Sequence, residues 1–206
     1  MTFVKQFLAE CVETLRRLDS AEVEAVVGLL ADTREKGGRV FVLGVGGSAA
    51  AASHFVNDLR KLAALEAYAP TDNVSELTAR VNDEGWDTTF AAWLDGSRLR
   101  AGDLVFVFSV GGGDATRNIS PNLVRALDLA RRRGAYVAGI VGRDGGHTRR
   151  VADASILIPP VSPERITPLT ESFHAVMGHL LVSHPRLQRT AAKWESAAAS
   201  PPGAAS

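Results

Sequence analysis

The sequence predicts a three-layer αβα sandwich around a mainly parallel, doubly wound sheet, preceded by helices. Three observations carry that expectation. Four short runs are continuously apolar and rich in β-branched or aromatic residues, as strands covered on both faces must be: RVFVLG (39–44), DLVFVFS (103–109), YVAGIVG (136–142) and ASILIPP (154–160). Helical patterns lie between them, the alternation that gives parallel strands with helices on both faces. Three of the four runs end in glycine loops, GVGGS, SVGGGD and GRDGG. In open parallel sheets the ligand sits beyond the carboxyl ends of the strands, so the three loops converge on one pocket.

Taken in order, residues 2–17 place Phe3, Phe7, Leu8, Cys11 and Leu15 on one helical stripe. Asp19 with Glu22 reads as a capping box opening a second helix over 20–36, which Gly37-Gly38 ends. Two helices before the first strand exceed what one sheet face covers easily, so they are expected to pack either as a plain layer or against another subunit. After the 39–44 strand, Gly44, Gly46 and Gly47 allow a tight turn, Ser48 stands as N-cap, and an alanine-rich helix follows. Residues 65–68 read as a short strand, 73–79 as a helix, 82–85 as a polar turn and 86–94 as a helix. Then come the 103–109 strand, a helix over 118–133 stopped by Gly134, the 136–142 strand, a short helix near 147–152, the 154–160 strand and a closing helix over 167–184. The residues from 191 to 206 end in the low-complexity run AAASPPGAAS and are expected to form a flexible tail.

The chain has 206 residues with 23 basic and 23 acidic side chains. That suffices for one domain with a substantial core, and leaves no net field to hold nucleic acid or an anionic membrane. The run Arg131, Arg132, Arg133 stands at a helix end, where cations complement the dipole. Cys11 is the one cysteine, so no intrachain disulfide forms, and no signal peptide or run of about 18 apolar residues is present. The expected location is the cytoplasm.

The stretch from Arg39 to Lys61 concentrates the chemistry. A glycine turn feeding a helix offers free N–H groups and the positive end of a dipole, which suits a phosphate. GVGGS lacks the GxGxxG spacing and no acidic residue closes a strand about twenty residues on, which argues against a dinucleotide. GxxxxGK[ST] is absent too, leaving a sugar phosphate or another small anion. His54 and Asp58, at i and i+4, share one face of that helix, either as a solvated pair or as a proton-transfer or metal-binding pair behind the anion cradle. Glu171, His174 and His179 stand on the closing helix with His184 at its end. Side chains of these types suit zinc or a similar cation. Glu171 and His179 fall within about 80° of one another, but an unbroken helix separates them by about 12 Å, too far for one ion. His147 reads as a bystander in a surface turn.

GVGGSAAAASHFVNDL resembles the GNGGSAADAQHxxxEL segment of bacterial phosphoheptose isomerases, members of the sugar isomerase (SIS) domain group. The resemblance continues through LTARVNDEGWD, LVFVFSVGGG and VAGIVGRDGG, and reaches TESFHAVMGHLL on the spacing of His174 to His179. It covers residues 3–184 and is specific in combination. It implies a flavodoxin-like SIS domain over 1–190 and a homotetramer. It also implies zinc at subunit contacts and conversion of sedoheptulose 7-phosphate to a heptose 7-phosphate aldose.

Carried over, the metal ligands are His54, Asp58, Glu171 and His179. Asp58 and His179 form the acid/base pair, and Glu171 also borders the substrate. Asn82 and Asp83 hold the sugar chain. Gly46, Gly47, Ser48, Ser109, Val110, Gly111 and Asp114 lie at the phosphate and its loops. This chain departs from the pattern in four places. Val45 replaces an asparagine, Asp58 a Glu and Glu171 a Gln. The family's STSGNS loop is here Ser109-Val110-Gly111-Gly112-Gly113-Asp114. Two or three hydroxyl donors are gone, and Asp114 would repel an anion if it pointed inward; backbone N–H groups, Thr116, Arg117 or Ser120 are candidate replacements. Two functions follow: an isomerase working through an enediol, or a non-catalytic sugar-phosphate sensor or protein adaptor on the same scaffold.

Overall fold

The computed structural model describes residues 1–198. The chain opens with α1 (Phe3–Arg17) and α2 (Ser20–Glu35), then runs through β1 (Val40–Leu43) and α3 (Gly47–Leu62) to β2 (Ala67–Tyr68). Next come α4 (Val74–Glu84), α5 (Thr89–Gly96), β3 (Leu104–Ser109), α6 (Pro121–Arg132) and β4 (Tyr136–Val141). It closes with α7 (Gly146–Val151), β5 (Ala154–Leu157), α8 (Ile166–Ser183) and a short α9 (Lys193–Ala198). The expected tail from 191 thus begins with a helical segment, and its remainder, 199–206, lies outside the described residues.

The five strands form one sheet in the order β2-β1-β3-β4-β5, every pair parallel. Val40 pairs with Leu104, Leu104 with Tyr136, and Ala138 with Ala154. Because side chains alternate across a strand, each central strand feeds two cores. Val40, Val42, Phe106, Phe108 and Ile140 pack with Val26, Leu30, Phe55, Leu59, Phe173 and Leu181 of α2, α3 and α8. Phe41, Leu43, Val105, Val107 and Val137 pack with Phe90, Leu94, Leu123 and Leu127 of α5 and α6. This is the three-layer sandwich that the apolar runs require. The order also puts the switch point between β1 and β3, where connections leave toward opposite faces and a crevice opens.

Several boundaries differ from the sequence reading, each for a local reason. Gly46, at φ 63°, is the N-cap of α3, so Ser48 sits inside the first turn. Asp19 does cap α2, accepting from Ala21 N at 2.8 Å. Glu22 does not close the capping box; it reaches across to Arg149 and accepts from Leu157 N at 2.8 Å. The supposed turn at 82–84 is the last turn of α4, which continues until Gly85 at φ 83°. Residues 118–120 are not helical, because Asn118 and Ser120 take positive φ and α6 begins only at Pro121, whose ring suits a first helical position. On α1, Phe3, Leu8 and Leu15 remain more than half exposed. The apolar stripe is therefore not spent on the core of its own chain.

Among the described residues no helix is long and apolar enough to cross a membrane.

Candidate functional site

Two groups of side chains stand out, and α3 and α8 contribute to both. The first is built by α3 and α8, which lie side by side on one face of the sheet. Ala52, Phe55 and Leu59 fix the roll of α3 against the core, and Phe173, Met177 and Leu181 fix that of α8. The i+4 spacing then stacks His54 over Asp58 on α3 and turns His179 of α8 toward them. Asp58 is 7% exposed. Its Oδ1 accepts from Asn57 Nδ2 at 2.9 Å. Its Oδ2 lies 3.4 Å from His54 Nε2 and 3.6 Å from His179 Nε2. The two imidazoles meet edge to face, with centroids 5.0 Å apart, and both stay exposed.

These three donors fit a cation. Their ligand atoms all lie within 4.8 Å of one another. Two ligands at about 2.1 Å from one tetrahedral ion stand about 3.4 Å apart, close to the two Asp58 separations. Two imidazoles and a carboxylate with an open side match the donor chemistry of catalytic zinc. Glu171 is not in this group. Since α8 runs unbroken from Ile166 to Ser183, the helix holds Glu171 and His179 apart, and the expected fourth ligand from this chain is corrected.

Behind the cluster stands His174, fully buried, with neither ring nitrogen completing a hydrogen bond. Its ring meets Phe108 edge-on at 5.0 Å. Burial pushes the imidazole from its ordinary 6.5 down to about 4, opposed by the Ile140 carbonyl. The folded state thus binds the proton less readily than the unfolded chain. Stability contributed by neutral His174 is complete above pH 6.5 and is lost as pH falls toward 4, by up to about 3 kcal/mol. His174→Leu should flatten this part of the profile, measured as urea midpoints at pH 7 and pH 4.5 for parent and variant.

The second group surrounds a 320 Å³ cavity lined by Ser48, Ser109, Val110, Gly111, Ser120, Arg143 and Glu171 among others. The loops after β3 and β4 are stapled together. Gly142 N donates to Ser109 O, His147 N to Gly113 O, and both Thr148 N and Oγ1 to Gly112 O. Ser109 Oγ accepts from Gly112 N at 3.0 Å, which shapes its own loop. The Glu171 carboxylate lies against Gly47, so tightly that a Cβ there would come within 2.8 Å of both oxygens. A carboxylate at that helix start meets the positive end of the dipole.

Asp114 is corrected: it turns away from the cavity. Its oxygens accept from Thr116 N and Arg117 N and pair with Arg117 Nε at 2.8 Å. The Arg117 backbone N–H, then its guanidinium, hold the carboxyl below its usual range. Asn82 donates to Asp83 at 2.7 Å at the end of α4. Asn82 borders a separate hollow with Leu77, Val81 and Trp86, so neither group in this chain includes it. His147 lies 2.9 Å from Asp128, and His184 stands near Glu24, both away from the cluster. Two further hollows border Arg39, one beside the edge strand β2 and one at Arg98 and Arg100. There Arg39 is paired with Asp103 at 2.7 Å and Arg133 with Asp95. Arg143 was absent from the residues singled out in the sequence, although the GRDGG loop that carries it was not.

The parallel order, the glycine loops at the switch point and the flanking His/Asp cluster define a class that the sequence bears out. A match to the SIS domain family spans residues 4–142, and the chain belongs to that family. Within it the relatives include phosphoheptose isomerases. That of Chlorobaculum parvum is 35% identical over 184 residues, covering 85% of this chain and 83% of its own. The lincomycin biosynthesis protein LmbN of Streptomyces lincolnensis is 34% identical over 195 residues, covering 89% and 69% respectively. Among solved structures, phosphoheptose isomerase GmhA from Neisseria gonorrhoeae superposes with a TM-score of 0.74 at 27% identity, over 87% of this chain and 95% of that one.

Proposed function

We propose that the chain is an aldose–ketose isomerase of a phosphorylated sugar, with sedoheptulose 7-phosphate and D-glycero-D-manno-heptose 7-phosphate as the ketose and aldose. The observation that carries this reading is the convergence of His54, Asp58 and His179 on α3 and α8, the two helices that also bring Ser48 and Glu171 to the glycine-loop cavity. An isomerase must remove a proton next to a carbonyl and return it to the neighbouring carbon, passing through an enediol. Asp58 and His179 are the pair proposed to move it, since a carboxylate and an imidazole face one another at 3.6 Å and both are types that serve in general acid–base catalysis. Asn57 holds the far oxygen of Asp58 and so aims the near one. His54, Asp58 and His179 would also hold zinc, which when bound would polarise the substrate oxygens. The glycine loops would bind the remote phosphate, whose binding energy orients the reacting end.

Asn82 and Asp83 are proposed to reach the sugar chain from a neighbouring copy, because Asn82 borders the hollow of Leu77, Val81 and Trp86 rather than the glycine-loop cavity. A homotetramer is the proposed assembly, supported by the uncovered apolar residues of α1. Phosphorylated-sugar metabolism and a lone cysteine both suit the cytoplasm. The loss of hydroxyls from the loop after β3 favours a second reading, a sensor that binds without turnover.

Sedoheptulose 7-phosphate followed by NMR in deuterated water, with zinc supplied, decides between them. The expected result is the aldose with deuterium at C2, lost on chelation and recovered with zinc. Binding of the sugar without any product would sink the isomerase and leave the sensor.

A further inference from the structure

We propose that Arg143 takes the substrate's phosphate in this chain, replacing the hydroxyl groups that the loop after β3 lacks. This rests on the sugar-phosphate reading and specifies its anion site. A phosphate dianion needs either several N–H and O–H donors or a cation. The loop 110–113 is Val-Gly-Gly-Gly, and one of its N–H groups, that of Gly112, is already spent on Ser109 Oγ. A cation on the wall would make up for the missing donors, and Arg143 stands there.

The placement of Arg143 is enforced. Its backbone sits at φ 52°, a left-handed conformation that costs a non-glycine residue about 1–2 kcal/mol. Such outliers persist only where the surroundings over-determine them. Here Gly142 N is bonded to Ser109 O and Gly145 N to Gly142 O at 2.9 Å, which fixes the turn on both sides of Arg143. The side chain runs over Gly111, with Cδ 3.8 Å from the point where a Cβ would stand. A larger residue at 111 would crowd that path. Among the described residues the guanidinium has no ion pair and no side-chain hydrogen bond. Its five donors are uncommitted.

The charges around the cavity also fix an orientation. Glu171 puts a carboxylate at the Gly47 end, and Arg143 a guanidinium at the Gly111 end. An anion is repelled from the first and drawn to the second. Ser120 supports the same end: it precedes the twelve-residue α6, and its hydroxyl makes no capping bond. The phosphate would then lie between Arg143 and the start of α6, away from the start of α3. The uncharged sugar chain would lead back past Glu171 toward the His/Asp cluster.

The test is calorimetric titration of inorganic phosphate into the full chain, for the parent, Arg143→Ala and Arg143→Lys. Losing one charge-assisted contact should weaken phosphate binding about 10- to 100-fold in Arg143→Ala, with Arg143→Lys intermediate. The thermal midpoint should not move, because the guanidinium touches no structural partner. In turnover, KM for the sugar phosphate should rise by the same factor. Phosphate affinity within about twofold of the parent in Arg143→Ala would overturn the proposal, as would a parent that binds no phosphate. Phosphate held through Arg143 without any sugar turnover would leave this site standing and remove the isomerase. Turnover with an unchanged KM in Arg143→Ala would do the reverse.

Discussion

Replacing Asp58 with alanine should lower turnover by about a thousandfold or more, the range for removing a group that moves the proton. It should abolish zinc binding in the same variant. Asp58 is the one member of the cluster that both imidazoles face, at 3.4 and 3.6 Å, so its loss leaves two exposed histidines with nothing between them. Global stability should change little. Among the described residues the carboxylate's side-chain partners are Asn57 and the two histidines. Zinc content by atomic absorption and turnover by NMR check the two halves separately. An Asp58→Ala protein that still isomerises would remove Asp58 from the chemistry whatever it does to the metal. Asp58→Glu is the informative companion, since a longer side chain must find room between the same two rings. Activity near the parent's would show that the one-methylene difference from the family pattern is absorbed by the half-exposed histidines.

The second large effect is structural. Gly112→Ala should destabilise the protein by about 2–5 kcal/mol, adding the left-handed penalty to overpacking. Gly112 takes φ 69°, and a Cβ would lie 1.9 Å from the Gly145 carbonyl oxygen, a backbone atom that cannot swing aside. The clash drives apart the loops that carry Ser109 and Arg143, so phosphate binding should fall together with stability. Gly111→Ala is the control. Its backbone is ordinary and its nearest neighbour is the flexible Arg143 side chain, so the urea midpoint should stay near the parent's. Equal midpoints for both variants would refute the stapled-loop account.

The architecture was legible because every central strand is buried on both faces, and a residue run such as Leu104–Phe108 cannot then be anything but apolar. Helix ends were less legible, since they depend on backbone angles that composition does not encode. Asn118 and Ser120 in left-handed conformations and Gly85 as the stop for α4 are examples. At the site, His54 and Asp58 could be paired from spacing, because four residues on a helix is a fixed distance. That His179 joins them depends on how α8 rolls against α3, which no local pattern states. Glu171 rests on the metal by resemblance alone, whereas the helix rise, already readable in the sequence, keeps it two turns from His179 in this chain, against Gly47. Arg143 was hidden because its role comes from a loop 30 residues beyond the one whose hydroxyls are missing.

The contact between Glu22 and Leu157 has a consequence for how the chain comes to be made. Helix α2 leaves the ribosome well before β5, yet its carboxylate is seated on that strand, 135 positions further along the chain. Its apolar face, Val26, Val27 and Leu30, shares a core with Ile156. At about 5–20 residues per second, that cover arrives on the order of ten seconds later. Until then two early helices and a growing parallel sheet expose apolar surface that only late, long-range closure can hide. Late closure of this core follows from the topology itself.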